Sequence, residues 1–208
     1  MSDPGSASGA RMTPDAALAL LKEGNRLFRG GGVVRPQLTG AERRAALAHE
    51  QQPFCVLVGC SDSRVSPELL FGRGLGELFI VRNAGNVVDL AAMGSIEYGV
   101  AVLGAPLVVV LGHERCGAVQ AAVNVVERDA TYPGSIGQMI EPIIPAVLRA
   151  RREGEADLLD RSMRYNVTRI VERLRSTEQM LLEPQRQGRL KIVGARYDLD
   201  DGNVDFFD

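Results

Sequence analysis

Three continuous apolar runs dominate the middle of the chain. They span residues 54–60, 78–83 and 106–113 and are rich in Val, Leu and Ile. Such runs do not alternate between apolar and polar residues, which is typical of strands buried on both faces of a parallel sheet. Residues with helical spacing lie between them, from Ser66 onward and again over 89–103. We therefore predict an α/β protein whose mostly parallel central sheet is flanked by helices.

The residues before these runs predict a helical arm. Residues 1–12 are small and polar and predict a disordered tail. Thr13 and Pro14 then supply a helix N-cap and a first helical residue, and this helix is expected to end at the glycines 30–32. A second short helix is expected before the first strand, so that residues 13–50 form the arm.

Thr39 and Glu42 are expected to begin that second helix. Their spacing matches a capping box, in which two side chains satisfy backbone N–H groups of the first helical turn. His49 follows at the end of this helix, and we interpret it as an exposed residue without a role in chemistry.

The C-terminal half predicts helices and a final hairpin. Helical patterns cover 116–128, 135–152 and 157–182, and we interpret the apolar stripe of the last one as core. Residues 189–207 predict a strand, an Asp-Gly-Asn turn and a second short strand. No internal repeat divides the chain, so a single domain over 13–208 is expected.

Metal-ligating residues follow two of the predicted strands. The first strand ends at Cys60, and the third ends at His113 with Cys116 three residues further on. In open α/β sheets functional groups gather at the carboxyl ends of strands, so these three predict a zinc site with an open fourth position, as in catalytic zinc sites. The alternative is that the cysteines are small core residues, which is how we interpret Cys55 inside the first strand.

Asp62 and Arg64 lie just after the first predicted ligand. A carboxylate at this position can bind the metal, or it can accept a hydrogen bond from metal-bound water while an arginine holds it. Arginine suits the second role because its planar guanidinium binds a carboxylate through two hydrogen bonds. A solvated ion pair is the alternative interpretation.

Composition and charge exclude several function classes. The 208 residues include 24 Lys and Arg against 26 Asp and Glu, a net charge of −2, so no basic field favours nucleic acid or anionic membranes. The longest apolar stretch, 98–112, is interrupted by Pro106 and is too short for a bilayer span. The chain starts without the pattern of a secretory signal and has an odd number of cysteines, three, so we expect a cytoplasmic protein.

Four motifs in order carry a family resemblance. The segments CSDSR (60–64), VRNAGN (81–86), SIEYGV (95–100) and GHERCG (112–117) together resemble the β-class carbonic anhydrases, and the resemblance extends over nearly the whole chain. It implies reversible hydration of carbon dioxide to bicarbonate and a proton, by attack of zinc-bound hydroxide.

The resemblance also implies roles for the residues of the predicted metal site. Cys60, His113 and Cys116 would hold one Zn²⁺ per chain, with water at the fourth position. Asp62 and Arg64 would form the pair that orients the hydroxide, and Asp62 could replace water as a fourth ligand in a closed, inactive form.

A substrate pocket is implied in the same way. Its positions correspond to Gln51, Phe79, Ala84, Gly85 and Tyr98. Gln51 would donate a hydrogen bond to a substrate oxygen, Phe79 and Ala84 would be apolar walls, and the Gly85 backbone would lie beside the metal. An apolar pocket with few donors suits a small apolar substrate.

Self-association and regulation follow from the resemblance as well. It implies at least a homodimer, often paired into a tetramer, with the N-terminal helices wrapped around the partner. A subgroup of the family carries Trp three residues before the first zinc cysteine, in an inhibitory bicarbonate site. Leu57 stands at that position here, so we expect an open site. The alternatives are hydrolysis of carbon disulfide or carbonyl sulfide on the same scaffold, and a non-catalytic assembly protein stabilised by zinc.

Overall fold

A five-stranded sheet forms the centre of the structure, a computed structural model that describes residues 12–32, 39–154, 156–176 and 179–207. The strand order is β2-β1-β3-β4-β5, in which the first four strands are parallel and β5 is antiparallel to β4. The strands are Cys55–Cys60 (β1), Leu78–Asn83 (β2), Leu107–His113 (β3), Lys191–Tyr197 (β4) and Val204–Phe207 (β5). The predicted α/β class, the three apolar strands and the final hairpin are confirmed.

Helices cover both faces of the sheet. In the described residues they are Pro14–Arg29 (α1), Ala41–Ala46 (α2), Pro67–Leu70 (α3), Leu90–Ala101 (α4), Gly117–Arg128 (α5), Ser135–Ile140 (α6), Ile144–Arg152 (α7), Leu158–Ser176 (α8) and Gln179–Arg186 (α9). Val56 and Val58 of β1 pack with α4, α5, α7 and α8 on one face, whereas Cys55 and Leu57 pack with α1 and α3 on the other. Because both faces are buried, the strands are continuously apolar. Cys55 is a core residue, as interpreted from the sequence.

The N-terminal helix belongs to the core of this chain. Thr13 caps it by accepting a hydrogen bond from the backbone N–H of Ala16, as predicted. Ala17 and Leu21 are fully buried on the sheet. A Cβ on Gly24 would lie 1.9 Å from the carbonyl oxygen of Phe71, so only glycine permits this close approach. One face of helix α1 therefore packs on the sheet of its own chain.

Two local predictions were wrong. The N-cap of α2 is Gly40, which has no side chain to accept a hydrogen bond, so Thr39 and Glu42 do not form a capping box. The helix predicted over 135–152 is divided into α6, a 3₁₀ turn at Glu141–Ile143, and α7. Proline cannot donate the i→i−4 hydrogen bond, and Pro142 lies at this division.

The N-terminal tail and the last helical pattern complete the chain. The predicted tail lies outside the described residues apart from Met12. Apolar residues of α8 and α9 that were interpreted as a core stripe are buried. None of the described helices is long and apolar enough to cross a membrane.

Candidate metal centre

Cys60, His113 and Cys116 meet at the carboxyl edge of the sheet. Strands β1 and β3 are parallel neighbours, so the last residues of both lie at the same edge. The two Sγ atoms are 4.0 Å apart, and all three potential ligand atoms lie within 4.8 Å of one another. All three side chains are buried. The residues that the sequence predicted as metal ligands are therefore brought together.

The orientation of His113 fits a metal site. Its Nδ1 lies 2.7 Å from the carbonyl oxygen of Glu114, which can only accept, so the ring proton is on Nδ1. Its Nε2 is then an acceptor, and it is buried without a hydrogen-bond partner in the described part of the chain. An unpaired imidazole nitrogen beside two thiol sulfurs is the donor set that Zn²⁺ prefers.

The two thiols do not ionise alike. Cys60 accepts hydrogen bonds from Cys116 and from the backbone N–H of Gly85, whose nitrogen is 3.3 Å away. These hydrogen bonds lower the pKa of Cys60 below its usual value. The pKa of Cys116 is raised, first because its proton is held in the hydrogen bond to Cys60 and then because of burial. A bound divalent cation would displace that last proton, since metal ligation requires thiolates.

Arg64 holds Asp62 beside this trio. Its Nε and Nη2 donate to the two carboxylate oxygens at 2.9 and 2.7 Å, and its backbone N–H donates to Oδ1 at 2.9 Å. Mainly because of these Arg64 hydrogen bonds, the pKa of Asp62 lies well below its usual range. Oδ2 of Asp62 is 3.8 Å from Nε2 of His113, so the carboxylate borders the space that a metal would occupy.

Gly85 approaches the trio through its backbone. Its φ of 74° favours glycine, and a Cβ there would lie 2.9 Å from the Ala118 Cβ and 2.8 Å from the Ile143 Cδ1. The carbonyl oxygen of Gly85 accepts a hydrogen bond at 3.1 Å from Asn166 of α8. Only glycine in this conformation brings the N–H to Cys60 without a steric clash.

The predicted pocket residues lie at two different places. Ala84 and Gly85 directly follow Asn83, which pairs with Cys60. They therefore lie at the carboxyl edge of the sheet that carries Cys60, His113 and Cys116, here called the metal edge. Phe79 pairs with Val56 near the opposite edge, four residues earlier on β2 or about 13 Å at the usual strand rise.

Gln51 and Tyr98 also lie away from the trio. Gln51 precedes β1, whose far end carries Cys60, and the ring centroid of Tyr98 is 6.0 Å from that of Phe79. Gln51 and Tyr98 line one open cavity of about 650 Å³ together with His49. Within a single chain, the structure does not bring Gln51, Phe79 and Tyr98 to the metal edge.

Two arginines that stabilise the metal edge were missed by the sequence analysis. Arg82 donates to the carbonyl oxygens of Cys60 and Asp62, both at 2.8 Å. Arg196 of β4 bonds the carboxylate of Glu114, the residue after His113, and also contacts Asp160 and Asp198. Arg82 lies within the VRNAGN motif, so its position could have been noticed. Nothing in the sequence links Arg196 to a residue 82 positions away.

Most of the chain is similar to known carbonic anhydrases. The carbonic anhydrase family model matches residues 55–204. Carbonic anhydrase 2 of Mycobacterium tuberculosis is 44% identical over 192 residues, which cover 92% of this chain and 91% of that protein. The carbonic anhydrase of Mycolicibacterium smegmatis is 41% identical over 192 residues, covering 92% of each.

Solved structures agree. The β-carbonic anhydrase CcaA superposes with a TM-score of 0.74 at 26% identity, over 92% of this chain and 95% of that one. One of two β-carbonic anhydrases from Sordaria macrospora, described as tetrameric, gives a TM-score of 0.72 at 26% identity, over 78% and 84% of the two chains. The chain therefore belongs to the β-carbonic anhydrase family of enzymes.

Proposed function

We propose that this chain catalyses the reversible hydration of carbon dioxide to bicarbonate and a proton, with Zn²⁺ held by Cys60, His113 and Cys116. The observation that carries the proposal is the buried trio of sulfur and imidazole donors beside a carboxylate. Zinc held in this way supplies Lewis acidity and lowers the pKa of bound water to about 7, which makes a nucleophile available at neutral pH.

Asp62 orients the attacking water in this proposal. An ionised carboxylate only accepts hydrogen bonds, so a water beside it must direct an O–H at the carboxylate and keep a lone pair for the substrate. Arg64 keeps Asp62 ionised and fixes its plane. The closed form, with Asp62 as a fourth metal ligand, would require these hydrogen bonds to rearrange. Their good geometry supports the open form as the resting state.

We further propose that two chains complete each site. Ala84 and Gly85 would border the metal from the same chain. Gln51, Phe79 and Tyr98 lie near the opposite edge of the sheet, so in this proposal they contact the substrate bound by a partner chain. The tetrameric description of the Sordaria macrospora proteins supports self-association. Because zinc ligation needs reduced thiols, a cytoplasmic location suits this chemistry.

Stopped-flow hydration of carbon dioxide by zinc-assayed protein between pH 6 and 9 tests the proposed reaction. We expect one zinc per chain and a rate that rises with pH. Asp62 is already ionised throughout this range because its pKa is lowered, so its titration does not contribute to the rise. Turnover of carbon disulfide without hydration would favour the sulfur substrates, and zinc binding without either activity would favour an assembly protein.

Mixing two weakened variants tests whether the site is shared. Cys60→Ala lacks a metal ligand, and Gln51→Ala lacks a donor to the substrate. In a mixed dimer, one shared site would combine native Cys60 of one chain with native Gln51 of the other, so activity should rise above that of either variant alone. If each chain forms its own site, re-annealed mixtures should show only the average of the two activities.

A further inference from the structure

The loop between two of the proposed metal ligands has an uncommon backbone conformation. Residues 113–116, here called the ligand loop, carry His113 at one end and Cys116 at the other. Between them Arg115 has a φ of 49°, in the left-handed region that residues other than glycine rarely adopt. Such a conformation persists only where the surrounding structure fixes it. The contacts of the ligand loop therefore decide how well its two ligands are placed.

Glu114 is fixed in this loop through both its backbone and its side chain. Its backbone N–H donates to the carbonyl oxygen of Tyr197 at 3.0 Å. Its carboxylate accepts hydrogen bonds from the backbone N–H of Leu199, at 3.2 Å, and from the guanidinium of Arg196. Its carbonyl oxygen lies 2.7 Å from Nδ1 of His113 and accepts the ring proton. Glu114 thus connects β4 and the turn after it to the imidazole that would bind the metal.

Arg196 links Glu114 to two further carboxylates. Its Nε donates to Asp160 of α8 at 2.7 Å, its Nη1 donates to Asp198 at 3.2 Å, and its Nη2 donates to Glu114. Asp160 is also held by Arg164, whose Nε is 3.0 Å away. The three nitrogens of one planar guanidinium each bond a different carboxylate, which fixes directions as well as distances. Arg196 therefore fastens the ligand loop to α8 and to the end of β4.

Arg115 is a second cation near Glu114, but its contact is weaker. Its Nη2 lies 3.8 Å from the Glu114 carboxylate and donates instead to Asp200 at 2.7 Å. The side chains of Arg115 and Asp200 are 52% and 73% exposed, whereas those of Arg196 and Glu114 are only 14% and 19% exposed. Without Arg196, the Glu114 carboxylate would be drawn toward Arg115 and solvent. This movement would shift the residue whose carbonyl oxygen orients His113.

We propose that Arg196, acting through Glu114, is a positioning residue for His113 and slows the release of zinc. The proposal rests on the metal site of the proposed function but does not depend on the reaction performed there. The orientation of a metal-bound histidine depends on the group that accepts its other ring N–H. Here that group is a backbone carbonyl, so its position depends on what holds Glu114.

Release of zinc to an excess of a chelating dye, followed by absorbance without substrate, tests this role. Arg196→Gln should raise the release rate by about 10- to 100-fold, the loss typical when a group that orients a metal ligand is removed. Arg196→Lys keeps the charge but lacks the planar guanidinium, so its release rate should lie between those of the wild type and the glutamine variant. The lysine variant also serves if Arg196→Gln does not fold. In cobalt-loaded protein, the absorption bands of the metal should shift in Arg196→Gln.

Two variants are controls for this experiment. Asp200→Asn breaks the exposed pair with Arg115 in the same loop and should release zinc within about twofold of the native rate, because exposed ion pairs contribute little. Cys55→Ala weakens the core at the opposite end of β1 from Cys60 and should also release zinc at a near-native rate. The melting temperature of each metal-free variant separates a general loss of stability from a loss of positioning.

A native release rate in Arg196→Gln, or in Arg196→Lys where only that variant folds, would overturn the proposal. Equal acceleration in Cys55→Ala at a similar melting temperature would also overturn it, because the role of Arg196 would then be merely structural. No turnover is measured, so absence of hydration activity would refute the proposed reaction without altering this result. Zinc held equally well by Cys60→Ala would refute the ligand trio and this proposal together.

Discussion

Replacing Cys60 with alanine should remove the metal and lower kcat/KM for carbon dioxide hydration by more than about 1,000-fold. Enzymes typically accelerate reactions by at least about a millionfold, which is well above the decrease expected here. The variant keeps His113 and Cys116 but loses the sulfur that accepts the Gly85 N–H and the hydrogen bond from Cys116. Two remaining donors are insufficient for a stable zinc site, which has at least three protein ligands.

Cys55→Ala is the matched control for this prediction. Cys55 is also a buried thiol of β1, but it begins the strand that Cys60 ends. It packs on the opposite face of the sheet from Cys60. Its removal should lower stability but leave one zinc per chain and near-native activity. Metal content by plasma mass spectrometry, together with stopped-flow rates, measures both variants. Full zinc occupancy and activity in Cys60→Ala would refute the ligand assignment.

Asp62→Asn should keep the zinc and lower kcat by about 100-fold, the loss expected when a positioned reactant is released from its orienting group. The amide has nearly the same shape but presents N–H donors, so it can neither accept both Arg64 hydrogen bonds nor act only as an acceptor toward water. Circular dichroism and zinc analysis should show a folded, metal-loaded protein, which separates this effect from loss of the site.

Asp200→Asn provides the comparison for that variant. Asp200 is bound by Arg115 through two hydrogen bonds of 3.0 and 2.7 Å, the same chemistry as the Asp62 pair but exposed and without contact to the trio. The hydration rate of the Asp200→Asn variant should remain within about twofold of the native rate, because exposed ion pairs contribute little to stability and this one does not contact the trio. Comparable losses in the two variants, or zinc loss in Asp62→Asn, would contradict an orienting role for Asp62.

The pH dependence adds a further check on Asp62. A pKa held below its usual range by Arg64 means that the carboxylate stays ionised as pH falls, and it protonates only in stronger acid than an ordinary aspartate. The native rate should therefore show no loss attributable to Asp62 between pH 6 and 9. The stabilisation that this pair contributes should be lost only when the pH falls below the usual range of aspartate.

Residues at the ends of strands and within one loop could be predicted from the sequence, whereas contacts between distant segments could not. The ligand trio could be predicted because parallel strands end at a common edge, and each ligand lies at or within three residues of a strand end. Asp62 and Arg64 were predictable as a pair because they are two residues apart in one loop. The Thr39 capping box was wrong because several local patterns compete at a helix start, and the helix began one residue later.

By itself, the sequence determined the α/β class, the strands, the candidate metal ligands and the Asp62–Arg64 pair, because each depends on local periodicity or on neighbours along the chain. Only the tertiary structure decided which distant groups meet. Arg196 and Glu114 are 82 residues apart, and Asn166 and Gly85 are 81 apart, yet both pairs hydrogen-bond once the sheet and α8 are packed. The separation of Gln51, Phe79 and Tyr98 from the trio likewise follows from strand direction, which places the two groups near opposite edges of the sheet.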